Sequence, residues 1–291
     1  HADAEHILIV SGIQQGIDLA AKILLDPGEF AALEEPGYGG LRHALRAHGA
    51  QVQLVAVDRA GLRVDALPQT PAARLVAVTP SHQFPTGAEM TLERRLSLLH
   101  WADRNSAFVL EDDYDGEFRH GGRPLPALKS LDQSGRVIYL GSLSRTLFPS
   151  VRLGYLVVPT ALRDYFVRAK RLADRGSPAI EQRALADLID SGRFERLLLA
   201  TACRLDERRM ALIDAISEFL GDQVEISGGS AGMHLCLHLV HMSASQEARL
   251  IAGAAVAEVR IEGLNDYCER PPERLSVLLS YAQATPEELR E

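Results

Sequence analysis

The chain has 291 residues, of which 46% are hydrophobic and 24% are charged, and its formal net charge is −8. These values are typical of a folded globular protein with room for one large and one smaller domain. The acidic balance argues against a broad nucleic-acid surface, and no apolar run reaches the ~20 residues that a membrane span needs.

Short apolar runs alternate with helical stretches in the first half of the chain, which predicts βαβ units and a mostly parallel sheet. Strands are predicted for HILIV, QVQLVAV, LVAVTP, FVLEDD, VIYLGSL and LGYLVVP, with a short strand inside DPGEFAALEEPGY. Helices are predicted for residues 12–25, for residues 39–49 and for TLERRLSLLHWADR. The fold class is therefore α/β, with a large domain over residues 1–159.

After Pro159 the pattern becomes largely helical, over residues 160–175, 179–190 and 193–220. A strand pair in VEISGGSAGMHLCLHL, a helix near 244–255 and the strand LSVLLSYA follow, and TPEELRE is predicted to be helical. Residues 160–291 therefore predict linking helices and a smaller C-terminal α+β domain. A start in a strand and an end in a helix also predict that the chain is one part of a larger protein.

The cysteines predict a reducing compartment rather than a disulfide framework. Cys203, Cys236 and Cys268 are widely spaced and form no CxxC pair, so reduced thiols in a cytoplasmic protein are expected. His234 and His238 are four residues apart, but the alternating pattern around them predicts a strand, so no metal site is expected there.

Two segments have the composition of an anion-binding turn. In VSGIQQG a strand meets a helix, so the backbone N–H groups near Gly12 and Ile13 would face an anion, unless Ser11 only caps the helix. In GSLSRTLFPSVRLGYLV a strand runs into a turn that contains Ser142, and Arg152 precedes the next strand. Hydroxyl groups and an arginine at a strand end suit a phosphate ester.

Three other segments place acidic, polar and aromatic residues after strands. LEDDYDGEF puts Asp112 at the end of a buried strand, where open α/β sheets bind ligands and a carboxylate can pair with a protonated ring nitrogen. TPSHQFPTG supplies Gln83, and EEPGYGG supplies Tyr38, whose ring could lie over a flat ligand. Taken singly, these segments are equally consistent with a solvated acidic loop and ordinary turns.

The order of these segments resembles the aminotransferase-like pyridoxal-phosphate proteins of fold type I. Five segments narrow the resemblance to the C-terminal domain of MocR-type bacterial regulators: TPSHQFPTG, LEDDYDGEF, GRPLPALKSLD, VIYLGSLSRTLFPSVRLGYLVVP and GSPAIEQRALADLIDSGRFER. In that family a GntR-type DNA-binding domain is linked to an aminotransferase-like domain that senses a ligand through the cofactor. The resemblance therefore implies that the DNA-binding domain is absent from this chain.

Roles for ten residues follow from this resemblance. It implies that the phosphate of pyridoxal 5'-phosphate is bound by Ser11, Gly12, Ile13, Ser142 and Arg152. It further implies that Tyr38 stacks on the pyridine ring, that Gln83 and Tyr114 approach the phenolic oxygen, and that Asp112 pairs with the ring nitrogen. The family's Schiff-base lysine falls at Arg145.

Arginine at position 145 argues against ordinary transaminase activity. Transamination needs an amine that is neutral part of the time, to bind the cofactor covalently and to move a proton between carbon atoms. Arginine stays protonated in proteins, and no other lysine is an evident substitute, since the chain has only Lys22, Lys129 and Lys170.

Three explanations of Arg145 stay open at this point. The site is naturally degenerate and holds the cofactor, or an amine form of it, without a covalent link. Alternatively, the site holds no cofactor, and Arg145 forms an ion pair with Asp112. In the third explanation, a native lysine at position 145 was deliberately replaced by arginine. Leu278 also stands where aminotransferases commonly carry a carboxylate-binding arginine.

The first functional hypothesis is an effector-sensing domain of a MocR-type regulator that responds to an amine or an amino-acid-like molecule. A stand-alone aminotransferase acting on an amino acid and a degenerate dimerisation pseudoenzyme are the alternatives. A homodimer is expected because proteins of this layout build each site at a two-fold interface.

Overall fold

The computed structural model describes residues 2–121 and 124–290. His1, Gly122, Arg123 and Glu291 lie outside the described residues, so the first two positions of GRPLPALKSLD and the last position of TPEELRE are not part of this description. Among the described residues, no helix combines the length and the apolar character that a membrane crossing requires.

A large sheet of eight strands occupies the first half of the chain. Its strands are β1 (Ile7–Val10), β2 (Phe30–Glu35), β3 (Gln51–Asp58), β4 (Gly61–Leu62), β5 (Leu75–Val78), β6 (Phe108–Asp113), β7 (Val137–Ser142) and β8 (Gly154–Val157). Their order in the sheet is β1-β8-β7-β6-β5-β2-β3-β4. The five central strands from β7 to β3 pair in parallel, and β1, β8 and β4 pair antiparallel at the two sides.

Helices cover both faces of this sheet, as expected for crossover connections between parallel strands. They are α1 (Ile13–Leu24), α2 (Gly39–Ala47), α3 (Leu92–Arg104), the short α4 (Leu128–Leu131) and α5 (Arg163–Asp174). Ile17 of α1 and Leu45 of α2 belong to one buried cluster, whereas Leu98 and Trp101 of α3 belong to a second cluster. The two clusters place the sheet between two helical layers.

Helix α1 packs very closely on the sheet because Gly16 has no side chain. A Cβ atom at Gly16 would lie 2.5 Å from Cδ1 of Leu140 on β7. The close packing holds the start of α1 against the end of the sheet where the parallel strands terminate.

A second, smaller sheet follows two long helices. Helices α6 (Ala179–Asp190) and α7 (Arg193–Phe219) lead to strands β9 (Val224–Ser227) and β10 (His234–Ser243), helix α8 (Glu247–Val256), and strands β11 (Glu262–Gly263) and β12 (Arg274–Ser280). The four strands are antiparallel in the order β11-β12-β10-β9. Leu205 and Leu212 of α7 pack with Leu235 of β10 in a separate core.

The two sheets are joined by direct backbone and side-chain contacts. The Gly232 N–H donates to the Phe118 carbonyl at 2.7 Å, and the Ser227 hydroxyl donates to the Thr86 carbonyl at 2.6 Å. The α/β fold class is confirmed, whereas the boundary between residues 159 and 160 stays a prediction. One expectation is wrong: residues 286–290 form a turn, not a helix. Their backbone hydrogen bonds, from the Leu289 N–H to the Thr285 carbonyl and from the Arg290 N–H to the Glu287 carbonyl, do not form a continuous helical series.

Candidate functional site

A cavity of about 230 Å³ lies where the parallel strands of the large sheet end. We call it the strand-end cavity, and it is lined by Ile13, Gln14, Tyr38, Thr79, Phe84, Asp112, Tyr114, Ser142, Ser144, Arg145 and Arg152. Thr79 follows β5, Asp112 lies near the end of β6, and Ser142 ends β7. The carboxyl ends of parallel strands meet at one edge, which brings these distant segments together.

One end of the cavity has the properties of an anion site. Helix α1 begins at Ile13, after Gly12 with φ +98°, so the first N–H groups of the helix face outward without helical partners. A Cβ atom at Gly12 would lie 3.3 Å from the Arg152 guanidinium, and a Cβ atom at Gly154 would lie 3.1 Å from the Gly12 Cα. The glycines therefore let the turn, the guanidinium and β8 approach one another closely.

Arg152 itself has a backbone conformation that is uncommon outside glycine. Its φ and ψ are 47° and 42°, in the left-handed region. The neighbouring Ser144 hydroxyl oxygen is buried and has no hydrogen-bond partner among the described residues, and Ser142 Oγ accepts from the Ser144 N–H at 3.2 Å. This end of the cavity offers backbone N–H groups, a hydroxyl and a guanidinium to an anion.

The turn before α1 is also held from behind. The Ser11 N–H donates to Gln15 Oε1 at 2.7 Å, and Gln15 Nε2 donates to Asp174 Oδ2 at 2.8 Å. Lys170 Nζ donates to the same Asp174 oxygen at 2.6 Å and to Ser177 Oγ at 2.7 Å. Helix α5 therefore fixes the turn and uses the Lys170 ammonium group in doing so.

Asp112 provides a buried carboxyl group at the other end of the cavity. The residue is 6% exposed, and its Oδ1 atom has no hydrogen-bond partner among the described residues. Burial, together with repulsion from Asp113, Asp115 and Glu34, raises the pKa of Asp112 to about 8. A cationic ligand atom placed against it would supply the missing partner and favour the ionised form.

Arg145 lines the cavity without pairing with Asp112. Its guanidinium carbon lies 5.3 Å from the centre of the Tyr114 ring, a cation–π distance. Within residues 2–121 and 124–290, neither Arg145 nor Arg152 has a carboxylate within 4.0 Å. The Arg145–Asp112 ion pair considered from the sequence is therefore not formed.

All three lysines lie outside the lining of the cavity. Lys22 donates to Asp18, Lys129 donates to the Val137 carbonyl, and Lys170 donates to Asp174. No lysine is therefore available to take over the role implied for position 145.

The segment after β5 forms one wall through Thr79 and Phe84. The Phe84 ring packs edge-on against Tyr38, Tyr114 and Tyr267, with centroid distances of 6.3, 5.8 and 5.0 Å. The Tyr114 hydroxyl donates to the His82 carbonyl at 2.9 Å. In this arrangement the Tyr114 ring faces the cavity while its hydroxyl is bonded to the loop.

Gln83 is buried beneath this wall and does not line the cavity. Its amide nitrogen donates to Glu34 Oε2 and to the carbonyls of Pro36 and Phe84, and its amide oxygen accepts from Thr86. Glu34 also accepts from Thr79, and burial raises the pKa of the Glu34 carboxyl to about 7. The Gln83 side chain is therefore already bonded within the protein.

A buried histidine–aspartate group lies next to the cavity wall. Donor atoms of His82, Asp115 and His234 lie within 4.8 Å of one another, and His82 Nδ1 is 3.0 Å from Asp115 Oδ2. His238 bonds Ser227 and Ser276 instead, so His234 and His238 do not share a site. Because the His82–Asp115 contact is already a hydrogen bond, this group is partly satisfied without a metal.

The family model described as "Aminotransferase class I and II" matches residues 1–291. The chain belongs to the aminotransferase class I and II family. Among solved structures, it resembles kynurenine aminotransferase of Pyrococcus horikoshii in complex with PMP, with a TM-score of 0.89 and 26% identity over 98% of this chain and 72% of that chain. It also resembles the α-aminoadipate aminotransferase LysN of Thermus thermophilus, complexed with N-(5'-phosphopyridoxyl)-L-leucine, with a TM-score of 0.88 and 29% identity over 98% and 74% of the two chains.

Curated relatives of this aminotransferase-family chain include transcriptional regulators. It is 36% identical over 287 residues to the probable rhizopine catabolism regulatory protein MocR of Rhizobium meliloti, covering 99% of this chain and 58% of that protein. It is 41% identical over 226 residues to the HTH-type transcriptional regulator TauR of Rhodobacter capsulatus, covering 78% and 46%. A 2-aminoadipate transaminase of Thermus thermophilus is 32% identical over 241 residues, covering 81% and 60%. The chain thus spans about half of these relatives' lengths, and the resemblance to MocR-type regulators is confirmed.

The residues of this aminotransferase-family site fit pyridoxal phosphate, which the fold and its phosphopyridoxyl-bound neighbours also support. The unpartnered Asp112 oxygen suits a protonated ring nitrogen, and the Gly12 turn with Arg152 suits a phosphate. Seven of the residues expected from the sequence line the cavity: Ile13, Tyr38, Asp112, Tyr114, Ser142, Arg145 and Arg152. Ser11 and Gly12 support it from the turn, and Gln83 lies outside it. Thr79 and Phe84 were missed as site residues, although both belong to the TPSHQFPTG segment.

Proposed function

We propose that this chain is the pyridoxal-phosphate-binding, effector-sensing domain of a MocR-type transcriptional regulator and that it does not transaminate. The observation that carries the proposal is the strand-end cavity itself. It combines the buried, unpartnered Asp112 carboxyl with Arg145 and contains no lysine in its lining. Similarity to MocR and TauR supports the regulatory role.

The chain's own residues would hold the cofactor at two ends and along its faces. The phosphate would be bound by the backbone N–H groups at the start of α1 and by the side chains of Ser142 and Arg152. Asp112 would bind the ring nitrogen and stabilise its proton. Tyr38 and Tyr114 would contact the ring faces. When bound, pyridoxal phosphate supplies an electrophilic carbonyl carbon and a ring that can accept electron density.

Arg145 changes what such a site can do. A guanidinium group stays protonated near pH 7, so it can bind an anion but cannot attack a carbonyl carbon or accept a proton from substrate carbon. A site with this residue can recognise a ligand without turning it over. The effector we propose is an amine or an amino-acid-like molecule that enters beside the cofactor.

The rest of the proposed regulator would supply DNA recognition. The aligned region covers 58% of MocR and 46% of TauR, so a regulator of that type has further chain outside this domain. DNA binding is therefore assigned to a separate N-terminal domain, and a cytoplasmic location follows from that role. A homodimer is part of the proposal, because α6 has no buried residue and α5 and α7 expose large apolar side chains.

The test is a titration of the purified chain with pyridoxal phosphate, followed by visible absorbance and by mass after borohydride reduction. We expect saturable binding without a reducible adduct. The Arg145→Lys variant is the matched comparison, and it should give an adduct on that lysine because the amine then lines the cavity. A wild-type adduct mapped to a native lysine would contradict the proposal, and absence of binding would favour a dimerisation pseudoenzyme.

The 2-aminoadipate transaminase relative keeps a stand-alone aminotransferase as the second candidate. Conversion of amino acids to keto acids would be assayed for the wild type and for Arg145→Lys with added cofactor. We expect no conversion by the wild type. Steady turnover by the wild-type chain would favour the enzyme.

A further inference from the structure

A second cavity, of about 450 Å³, lies between the turn around Arg145 and helix α7. We call it the α7 cavity, and it is lined by Arg145, Thr146, Leu147, Leu197, Thr201, Arg204, Leu205, Arg208, Met233, Ala282 and Gln283. Of these residues only Arg145 also lines the strand-end cavity. The two cavities are therefore separate sites that share one side chain.

The charged side chains that line the α7 cavity are arginines. Arg145, Arg204 and Arg208 line it, and no aspartate or glutamate of residues 2–121 and 124–290 does. In the described part of the chain, none of the three has a carboxylate within 4.0 Å. The whole chain has 39 acidic and 31 basic residues, so its composition does not account for three unpaired arginines at one site.

Two of these guanidinium groups are oriented by backbone carbonyls and still have free donors. The Arg204 Nε–H donates to the Ala200 carbonyl at 3.2 Å, and Arg208 donates to the Ala282 carbonyl. Each guanidinium carries five N–H donors, so several remain on both side chains. Neutral carbonyls fix their positions without cancelling their charge.

Thr146 adds a buried hydroxyl group to the wall of the α7 cavity. The residue is 5% exposed, and its hydroxyl oxygen has no hydrogen-bond partner among the described residues. Buried hydroxyl groups are normally bonded, so an unpartnered one in a cavity wall points to a ligand or a water. Glu117 lies outside the lining, and burial raises the pKa of its carboxyl to about 7, a rise that a contact with the Thr146 hydroxyl partly offsets. This contact does not meet hydrogen-bond geometry, so it leaves the hydroxyl able to bond a ligand.

The other walls are apolar. Leu147, Leu205 and Met233 contribute carbon surface beside the arginines. Inorganic phosphate would leave this surface uncovered, whereas a carboxylate with a carbon chain would bond the arginines and cover it. The chemistry of the lining therefore selects organic acids over inorganic anions.

We propose that the α7 cavity binds a small organic acid, with its carboxylate held by Arg204, Arg208 and Arg145 and its carbon chain against the leucines. The test is isothermal titration of the full chain with hexanoate, adipate and inorganic phosphate at constant ionic strength. We expect at least one of the two organic acids to bind more tightly than phosphate. Phosphate binding as tightly as both acids, or no saturable binding of either acid, would overturn the proposal.

Arg204→Gln is the variant within the site, and Arg196→Gln is its matched control on the same helix. Arg196 is exposed and does not line the cavity, yet its replacement changes the net charge equally. Loss of one charge-assisted contact should weaken acid binding about tenfold in Arg204→Gln. Equal weakening in both variants would show a nonspecific charge effect and would refute the site.

Sharing of Arg145 also connects the two cavities. An acid that holds the Arg145 guanidinium in the α7 cavity would draw its positive charge away from the strand-end cavity. The acid and the anionic cofactor should therefore weaken each other's binding, and the factor must be the same in both directions. We expect saturating acid to weaken pyridoxal-phosphate binding about fivefold, and Arg145→Gln to remove this effect. This measurement rests on the proposed function. Acid binding without any cofactor binding would refute that function alone, and cofactor binding without acid binding would refute the α7 site alone.

Discussion

Asp112 combines two opposite effects in one side chain. Its carboxyl group is buried among other acidic groups, which raises its pKa from the usual 3.8 to about 8. The same position makes it a strong partner for a cationic ring nitrogen, because a charge pair in a buried site is little screened by water. The residue that we propose binds the cofactor therefore destabilises the cofactor-free protein at high pH.

The direction of this pH effect follows from the raised pKa. Well below its ordinary pKa of 3.8, Asp112 is protonated in both the folded and the unfolded chain. As the pH rises towards 8, the unfolded chain releases the proton while the folded chain keeps it, so the free energy of unfolding falls. The contribution of Asp112 to stability is present at low pH and is lost as the pH rises through its folded pKa.

Asp112→Asn should remove this fall in the free energy of unfolding with rising pH. In cofactor-free protein at pH 9, we expect the variant to melt roughly 3 °C or more above the wild type, and the difference to shrink at lower pH. Pyridoxal phosphate should bind about 10- to 100-fold more weakly, because the ionic partner of the ring nitrogen is gone. Scanning calorimetry and absorbance titration measure the two effects.

Asp164→Asn is the control, since Asp164 is an exposed residue on α5 far from the cavity lining. Asp164→Asn should change neither the melting temperature nor the affinity for pyridoxal phosphate. If Asp112→Asn melted below the wild type at pH 9, the raised pKa of Asp112 would be wrong.

The turn between β1 and α1 determines, at the scale of an element, how the phosphate would be held. Gly12 has φ +98° and ψ 177°, a conformation that other residues adopt only with strain. Its missing side chain also leaves room for the Arg152 guanidinium. Backbone conformation and ligand geometry therefore depend on the same residue.

Gly12→Ala should reduce both stability and cofactor affinity. Strain at positive φ should lower the free energy of unfolding by about 1–3 kcal/mol, and displacement of Arg152 should weaken pyridoxal-phosphate binding about tenfold. Urea unfolding measures the free energy of unfolding, and titration with pyridoxal phosphate measures the affinity.

Gly28→Ala separates the two effects. Gly28 has φ +92°, but a Cβ atom there would meet nothing within 4 Å. It should therefore lose stability and keep its cofactor affinity. Equal loss of affinity in both variants would show that Gly12 acts only through general stability.

The sequence predicted most elements because each depends on local periodicity. The apolar run in HILIV and the helical spacing in TLERRLSLLHWADR each correspond to an element found in the structure. The site was less predictable wherever a side chain depends on distant partners. Gln83 has the right residue type for a ligand, yet its amide is bonded to Glu34, which is 49 residues away in sequence.

The α7 cavity could not be predicted from the sequence for the same reason. Arg204 and Arg208 lie on one helix, but Arg145 comes from a turn after β7. Thr146 is notable only because its hydroxyl is buried and has no hydrogen-bond partner among the described residues, which the sequence does not reveal. Their convergence depends on how α7 lies beside the turn that follows β7. No motif or spacing in the chain expresses that packing.

At the scale of the whole molecule, three consecutive helices expose large apolar side chains. Leu172 on α5 is 87% exposed, Ile180 on α6 is 83% exposed and Leu199 on α7 is 68% exposed. Exposed apolar patches of this kind mark interaction surfaces in soluble proteins. We expect a second copy of the chain to cover them.

Ile180→Glu should therefore convert a dimer into a monomer at micromolar concentration. A charge at a buried interface is costly to desolvate, so association should weaken at least tenfold. Val256→Glu is the control, because Val256 is also 87% exposed but lies on α8. Sedimentation velocity distinguishes the species. A wild-type chain that stays monomeric at high concentration would contradict the homodimer.

The bracing of the turn before α1 has a consequence for affinity. That turn is held by hydrogen bonds before any ligand arrives, through Ser11, Gln15, Asp174 and Lys170. Conformational entropy is therefore lost once, during folding, and is not lost again on binding. A phosphate group meets N–H donors that already point in one direction, so most of its interaction free energy appears as affinity.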